Sequence, residues 1–295
     1  MRTDSDSWDI NTSVGSTALF VAATRALVGR EPDPLAVDPL AEVFLRASGG
    51  EWVELLEGRA EGHALLTPEF GPSFLAHVGA RTRYFDEYLA AAVRDGVRQV
   101  VILAAGLDAR AYRMAELEEA TVYELDRAEV LEFKRETLAA AGHKPRGERR
   151  EVPVDLRGDW PTALRDKGFD PAEATAWLIE GLLIYLAPRA QDDLFAAVVA
   201  NSAPGSRVAI EAMEPLPADL YESMRNAGHE LAEEQRQWVD LIYNDPRADA
   251  AQWFTEHGWS ARRTGLGEYL RELGRELPVA PVTSHVFLVT AQQPR

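Results

Sequence analysis

Beyond residue 98 two hydrophobic patterns alternate along the chain. Compact apolar runs of strand length recur at VVILAA (100–105), TVYEL (121–125), RREVPV (149–154), TAWLIE (175–180) and SRVAIEAM (206–213). Between them AEVLEFKRETLAAAG (128–142), WPTALRDKG (160–168) and PRAQDDLFAAVVANS (188–202) carry apolar residues at helical spacing. Strands alternating with helices predict a parallel sheet covered on both faces. WSARRTG (259–265) and SHVFLVTAQ (284–292) add two further strands.

Upstream the period is helical. Thr12 or Ser13 can cap a helix over about 16–28, in which Leu19, Phe20, Ala23 and Leu27 share one face. A proline-punctuated loop, REPDPLAVDPL, precedes short helices near 39–47 and 51–57 and a longer one over about 72–94, which Gly96 ends. The stretch 215–257 also reads as helical and holds Tyr221, Met224, Trp238, Tyr243, Trp253 and Phe254. No repeat, low-complexity tract or linker divides the chain. The expectation is one α/β domain over 1–295: a helical cap (1–95), a core (96–214 and 258–295), and a helical lid (215–257) inserted after the fifth strand.

Composition narrows the partners. With 31 basic against 48 acidic residues the net charge is −17, a balance that repels phosphate backbones and anionic lipid, so neither nucleic acid nor membrane is expected as a partner. The absence of cysteine removes disulfides, thiol nucleophiles and cysteine-based metal sites; no metal is expected. The acidic N-terminus lacks the features of a signal peptide. The most apolar stretch, TAWLIEGLLIYLAP, is too short to span a bilayer and carries Glu180. A cytoplasmic location is the expectation.

The candidate chemistry gathers where the first two strands end. Gly106 and Asp126 stand 20 residues apart, the reach that sets a carboxylate on a ribose diol in nucleoside-binding α/β folds. The G-x-G-x-x-G of a pyrophosphate-binding turn is missing: Leu107, Asp108, Ala109 and Arg110 follow Gly106, so a diphosphate would meet side chains where it needs bare amides. This favours a nucleoside without phosphates, of which S-adenosylmethionine is the commonest cofactor; a turn with no ligand is the plainer alternative. Asp108, Glu124, Asp126, Asp155 and Glu180 fall at or near successive strand ends, a pattern suited to a cation with hydroxyl and amine donors. Taken singly, each also reads as a helix cap or a solvated loop residue. Asp126 would accept from the ribose and Asp155 from the adenine amine, with Leu156 offering a backbone amide to the ring. Arg81 could fork onto the cofactor carboxylate.

The ordered series RTRYFDEYL, VVILAAGLDARAYRM, YELDRAEVLEFK, VPVDLRGDW and IEGLLIYL resembles the leucine carboxyl methyltransferase family, and within it a bacterial branch of S-adenosylmethionine-dependent methyltransferases. VGSTALFVAATRA and LAVDPLAEVF are similar to that branch too, and the resemblance covers roughly 14–190. It implies a Rossmann-like class I methyltransferase sheet. It also implies Arg81 on the methionine carboxylate, Gly106 under the methionine moiety, Asp126 on the ribose, Asp155 and Leu156 on the adenine, and Glu180 near the amino group. Family members that methylate proteins tend to carry threonine after the motif aspartate, where this chain has Ala109-Arg110. That departure weakens a protein C-terminus as substrate.

Attack on a sulfonium methyl is an in-line displacement, so the enzyme mainly has to align the reacting atoms. A carboxylate needs no general base, whereas a phenol, with a pKa near about 10, does. His63, His77, His143, His229, His257 and His285 lie in no motif, which favours O-methylation of a small-molecule carboxylate over a hydroxyl. Bacterial members with assigned roles often modify secondary metabolites such as polyketides. Tyr185 could face the methyl group or simply pack in the core. Arg25 could bind an anionic substrate, although a surface charge is the simpler reading. Tyr221 and Met224 could line a substrate wall, or be the buried face of a helix. The alternatives are methylation of a protein C-terminal carboxylate, a nucleoside-binding module without chemistry, and a nicotinamide-dependent dehydrogenase, which the missing glycines disfavour. Oligomeric state is not legible.

Overall fold

The computed structural model describes residues 14–226, 239, 241–275 and 282–295. Seven strands form one sheet: β1 (Gln99–Leu103), β2 (Thr121–Asp126), β3 (Glu148–Pro153), β4 (Thr175–Ile179), β5 (Arg207–Met213), β6 (Ser260–Gly265) and β7 (Val286–Gln292). Their order is β3-β2-β1-β4-β5-β7-β6. The chain reverses its direction of travel between β1 and β4, the place where ligands enter such sheets beyond the strand carboxyl ends. β1 and β4 are buried at every position, as strands covered on both faces must be.

Alternation along β1 builds two cores. Val100 and Ile102 point to one face with Val122, Leu178 and Ala209; Val101 and Leu103 point to the other with Tyr123, Trp177, Ile179 and Ile210. The first face is covered by α1 (Val14–Gly29), α2 (Ala41–Ser48), α3 (Gly50–Leu56) and α4 (Gly71–Arg94). The second is covered by α7 (Trp160–Asp166), α8 (Pro188–Ala200) and the helix Ala250–Glu256. α5 (Arg110–Arg113) is a single turn after β1, and α6 (Ala128–Ala140) follows β2.

β7 departs from the expected parallel sheet. It runs antiparallel to both β5 and β6. Gly265, where β6 ends, faces Phe287 near the start of β7, so the chain re-enters the sheet at the edge it has just left and must run back down. Within the stretch grouped by sequence as a lid, Phe254 is wholly buried among Phe195, Trp253 and Trp259, so the helix Ala250–Glu256 covers the sheet. The expected caps at Thr12 or Ser13, and His229 and Trp238, lie outside the described residues. Among the described residues no helix is long and apolar enough to cross a membrane.

Candidate functional site

The turn after β1 is built on two left-handed residues, Ala104 (φ +53°) and Gly106 (φ +46°). Only glycine adopts such backbone without steric cost, so Gly106 is required by shape and Ala104 carries strain. The turn is latched to β2: the Gly106 N–H donates to Asp126 Oδ2 at 2.7 Å, and the Arg127 N–H donates to Oδ1 at 2.7 Å. Burial pushes the Asp126 carboxyl above its ordinary value, with these two amides working against the shift. A half-buried carboxylate with lone pairs to spare is poised to accept from further hydroxyls. No heavy atom lies closer than 3.8 Å to where a Gly106 side chain would stand, so a ligand can approach the backbone there.

Beside this turn lies a buried network of alternating charge. Glu180, just past β4, receives Arg25 Nη2 at 2.7 Å on Oε1 and Arg110 Nη1 at 2.7 Å on Oε2, with Arg81 Nε 3.0 Å from Oε1. Arg110 Nη1 also meets Asp108, and its Nε donates to Asp86 at 2.7 Å. Arg81 Nη1 forks onto both oxygens of Glu211, at 3.0 and 2.8 Å. Glu211 in turn holds His77 Nε2 at 2.6 Å and the Gly181 N–H at 2.8 Å. Burial alone would raise the pKa of each carboxyl; Arg110, Arg25 and Arg81 outweigh it at Glu180, which is held well below the carboxylate range. At Glu211, Arg81 and His77 overcome burial and hold the group at about 2.

Six of the residues named from sequence or resemblance meet in this region: Arg25, Arg81, Gly106, Asp108, Asp126 and Glu180. Arg25 is buried at 8 % exposure, so the surface-charge reading fails. Arg81 is not an idle fork, because two acids already hold it. Asp155 is exposed and clamped by Arg157, whose guanidinium bonds both oxygens at 2.6–3.1 Å; Arg157 also lowers its pKa. Leu156 is half-buried against the second core. Glu124 does not line the crevice. It is fully buried between Lys134 (2.7 Å) and Arg149 (2.6 Å), because its place in β2 turns it toward α6 and β3.

Tyr185 is half-buried in a short 3-10 turn after β4. The main chain of that turn is held by the insertion: Arg247 donates to the carbonyls of Leu183 (2.5 Å) and Leu186 (3.1 Å), and the Tyr243 N–H to the carbonyl of Ile184 at 2.8 Å. Tyr221 and Met224 are half-buried on α9 (Ala218–Asn226), with the Tyr221 hydroxyl 3.5 Å from the Ile242 carbonyl. His77, Glu211 and Arg110 were not assigned roles from sequence. The available signals were the four-residue spacing of His77 and Arg81 and an acid inside the apolar run of β5. Among the described residues no group of three or more acids and histidines is placed to hold a metal ion.

Comparison with known proteins bears on the family and the fold. Residues 18–199 match the model of the leucine carboxyl methyltransferase family. A protein of Mycobacterium sp. strain KMS with S-adenosyl-L-methionine-dependent methyltransferase in its name is 54% identical over 299 residues, covering 99% of each chain. A relative from Mycolicibacterium smegmatis with the same words in its name is 52% identical over 298 residues, covering 99% of this chain and 100% of its own. Among solved structures, a DUF574 family protein from Streptomyces avermitilis superposes with a TM-score of 0.57 at 15% identity, over 97% of this chain and 100% of the other. That likeness bears on the fold.

Proposed function

The chain belongs to the leucine carboxyl methyltransferase family and is an S-adenosylmethionine-dependent methyltransferase; from that premise we propose that it methylates an oxygen of a small molecule, a carboxylate or a hydroxyl. The observation that carries the site is the latch between the Gly106 amide and the Asp126 carboxylate. It joins the ends of β1 and β2 and leaves an acceptor where a ribose diol would lie. Asp126 would hold the ribose, Gly106 the methionine backbone, and Arg81 and Glu180 the carboxylate and ammonium of the amino acid moiety. Leu156 would flank the adenine, and Asp155 would reach the adenine amine once Arg157 gives way. Arg25, Tyr185, Tyr221 and Met224 are the proposed acceptor contacts.

The cofactor supplies an electrophilic methyl on a sulfonium. The protein's part is positioning. Two carboxylates and paired guanidiniums hold the ends of a zwitterion, while the buried surroundings exclude the water that would compete as nucleophile. The strongly acidic balance, a net charge of −17, supports a small-molecule acceptor over nucleic acid. The missing threonine after the motif aspartate supports it over a protein C-terminus. A cytoplasmic setting is part of the same proposal.

Calorimetric titration tests the assignment. S-adenosylhomocysteine should bind in the micromolar range, Asp126→Ala should abolish that binding, and NAD should not bind. Comparable affinity for NAD would overturn the reading.

A further inference from the structure

The acceptor oxygen is left open above, and the surroundings of His77 bear on it. His77 and Arg81 lie four residues apart on α4, so both face the carboxyl ends of β4 and β5. The adenosyl-binding groups proposed above lie on the β1–β3 side, and the methionine moiety on Arg81 and Glu180 would present its methyl beyond β4, so that the acceptor would approach from the β5 side. His77 Nε2 meets Glu211 Oε1 at 2.6 Å, while Glu211 is fixed independently by Arg81 and by the Gly181 amide. A carboxylate held from three directions fixes the imidazole tautomer, with N–H at Nε2 and the lone pair at Nδ1. Among the described residues Nδ1 has no hydrogen-bond partner, and the side chain keeps 12% of its surface open.

An aromatic wall adjoins this imidazole. Phe74 meets His77 edge-on with ring centroids 5.7 Å apart, and it packs on Phe20 at 5.4 Å and Phe70 at 5.0 Å. All three phenylalanines are half-buried, so part of each residue remains exposed. The charges around His77 are Glu211 on β5, Arg81 on α4, Glu180 after β4, and Arg25 and Arg110 beyond it. With Arg81 given to the cofactor carboxylate, Arg25 and Arg110 stay paired with Glu180 and Asp108, so an acceptor carboxylate would have to compete with those acids for a cation.

We propose that His77, oriented by Glu211, is the general base for an aromatic hydroxyl acceptor whose ring lies against Phe20, Phe70 and Phe74. The inference rests on the reading of the chain as an O-methyltransferase. The hydroxyl proton passes to Nδ1 as the oxygen lone pair forms the bond to the methyl carbon. The methyl–sulfur bond breaks with its electron pair left on sulfur, so the sulfonium becomes a neutral thioether. The imidazolium, stabilised by Glu211, then releases the proton to water.

The test is a methylation assay of the full chain with 4-methylphenol, catechol, 2-naphthol, 4-nitrophenol, benzoate and decanoate. Wild type should methylate phenols in preference to the two carboxylates. His77→Gln, with His77→Asn as a second variant, should lower kcat on 4-methylphenol by about 100-fold or more. Both variants should retain S-adenosylhomocysteine affinity, which also reports that they fold. Assayed above its own pKa, 4-nitrophenol arrives as the phenolate, so its methylation should survive in both. Equal loss on both phenols, no loss on either, or wild-type turnover confined to carboxylates or absent altogether would overturn the base assignment. Failure of wild type to bind S-adenosylhomocysteine would instead sink the methyltransferase reading.

Discussion

Asp108, Glu180 and Glu211 carry full charge in a setting that penalises charge, and they do so because Arg25, Arg81 and Arg110 face them. The consequence is measurable at Glu211. Its folded value of about 2 lies below the ordinary 4.5, so its stabilisation is fully present above about pH 4.5 and is lost as pH falls through about 2. The gap corresponds to about 3 kcal/mol. Asp126 works in the opposite sense: its raised value makes its ionised form a cost at neutral pH that protonation relieves. Thermal midpoints should therefore fall as pH drops below about 4.5 toward 2, with protonation of Asp126 offsetting part of the loss. Glu211→Gln should flatten part of the acid limb; an unchanged limb would refute the network's role. At this scale Asp126 and Glu180 were legible because motifs place them at strand ends, and Arg81 because of its place in the RTRYFDEYL motif. Glu211 and His77 were not, because an acid within an apolar strand becomes informative only once the helix facing it is known.

The elements explain why the latch between β1 and β2 holds its shape. Both Ala104 and Gly106 have left-handed backbone, and in that conformation the amide of Gly106 aims at Asp126. Gly106→Ala should cost about 1–2 kcal/mol from the left-handed penalty. It should also weaken S-adenosylhomocysteine binding, because any relaxation of φ swings the amide away from the carboxylate. Urea melts and a titration of the variant check both; unaltered affinity would mean that the latch does not shape the site. All seven strands were legible, β1, β2, β4, β5 and β7 because their apolar runs are short and bounded by turn residues, and α4 because its apolar positions recur over 24 residues. The antiparallel course of β7 was not, since periodicity carries no direction. The covering role of Ala250–Glu256 was also hidden: Trp253 and Phe254 look alike whether they line a lid or a core.

Across the whole molecule the charge is divided unequally. The surface carries the excess behind the net −17, while the interior network is close to balanced. Arg110, at 1% exposure, bridges several elements of that network. It bonds Asp86 on α4, Asp108 in the β1 turn and Glu180 after β4, and Arg25 of α1 reaches the same Glu180. The helices over the first face are thereby tied to the carboxyl edge of the sheet by ions as well as by their apolar contacts. Replacing Arg110 by methionine keeps much of the volume and strips a partner from three acids at once. Breaking a buried pair in this way costs about 3–5 kcal/mol. If helices and sheet unfold as one unit, the urea midpoint of Arg110→Met should drop while the slope of the transition stays that of wild type. A second, earlier transition would show instead that the N-terminal helices melt apart from the sheet, and that the network does not bind the two into one cooperative body.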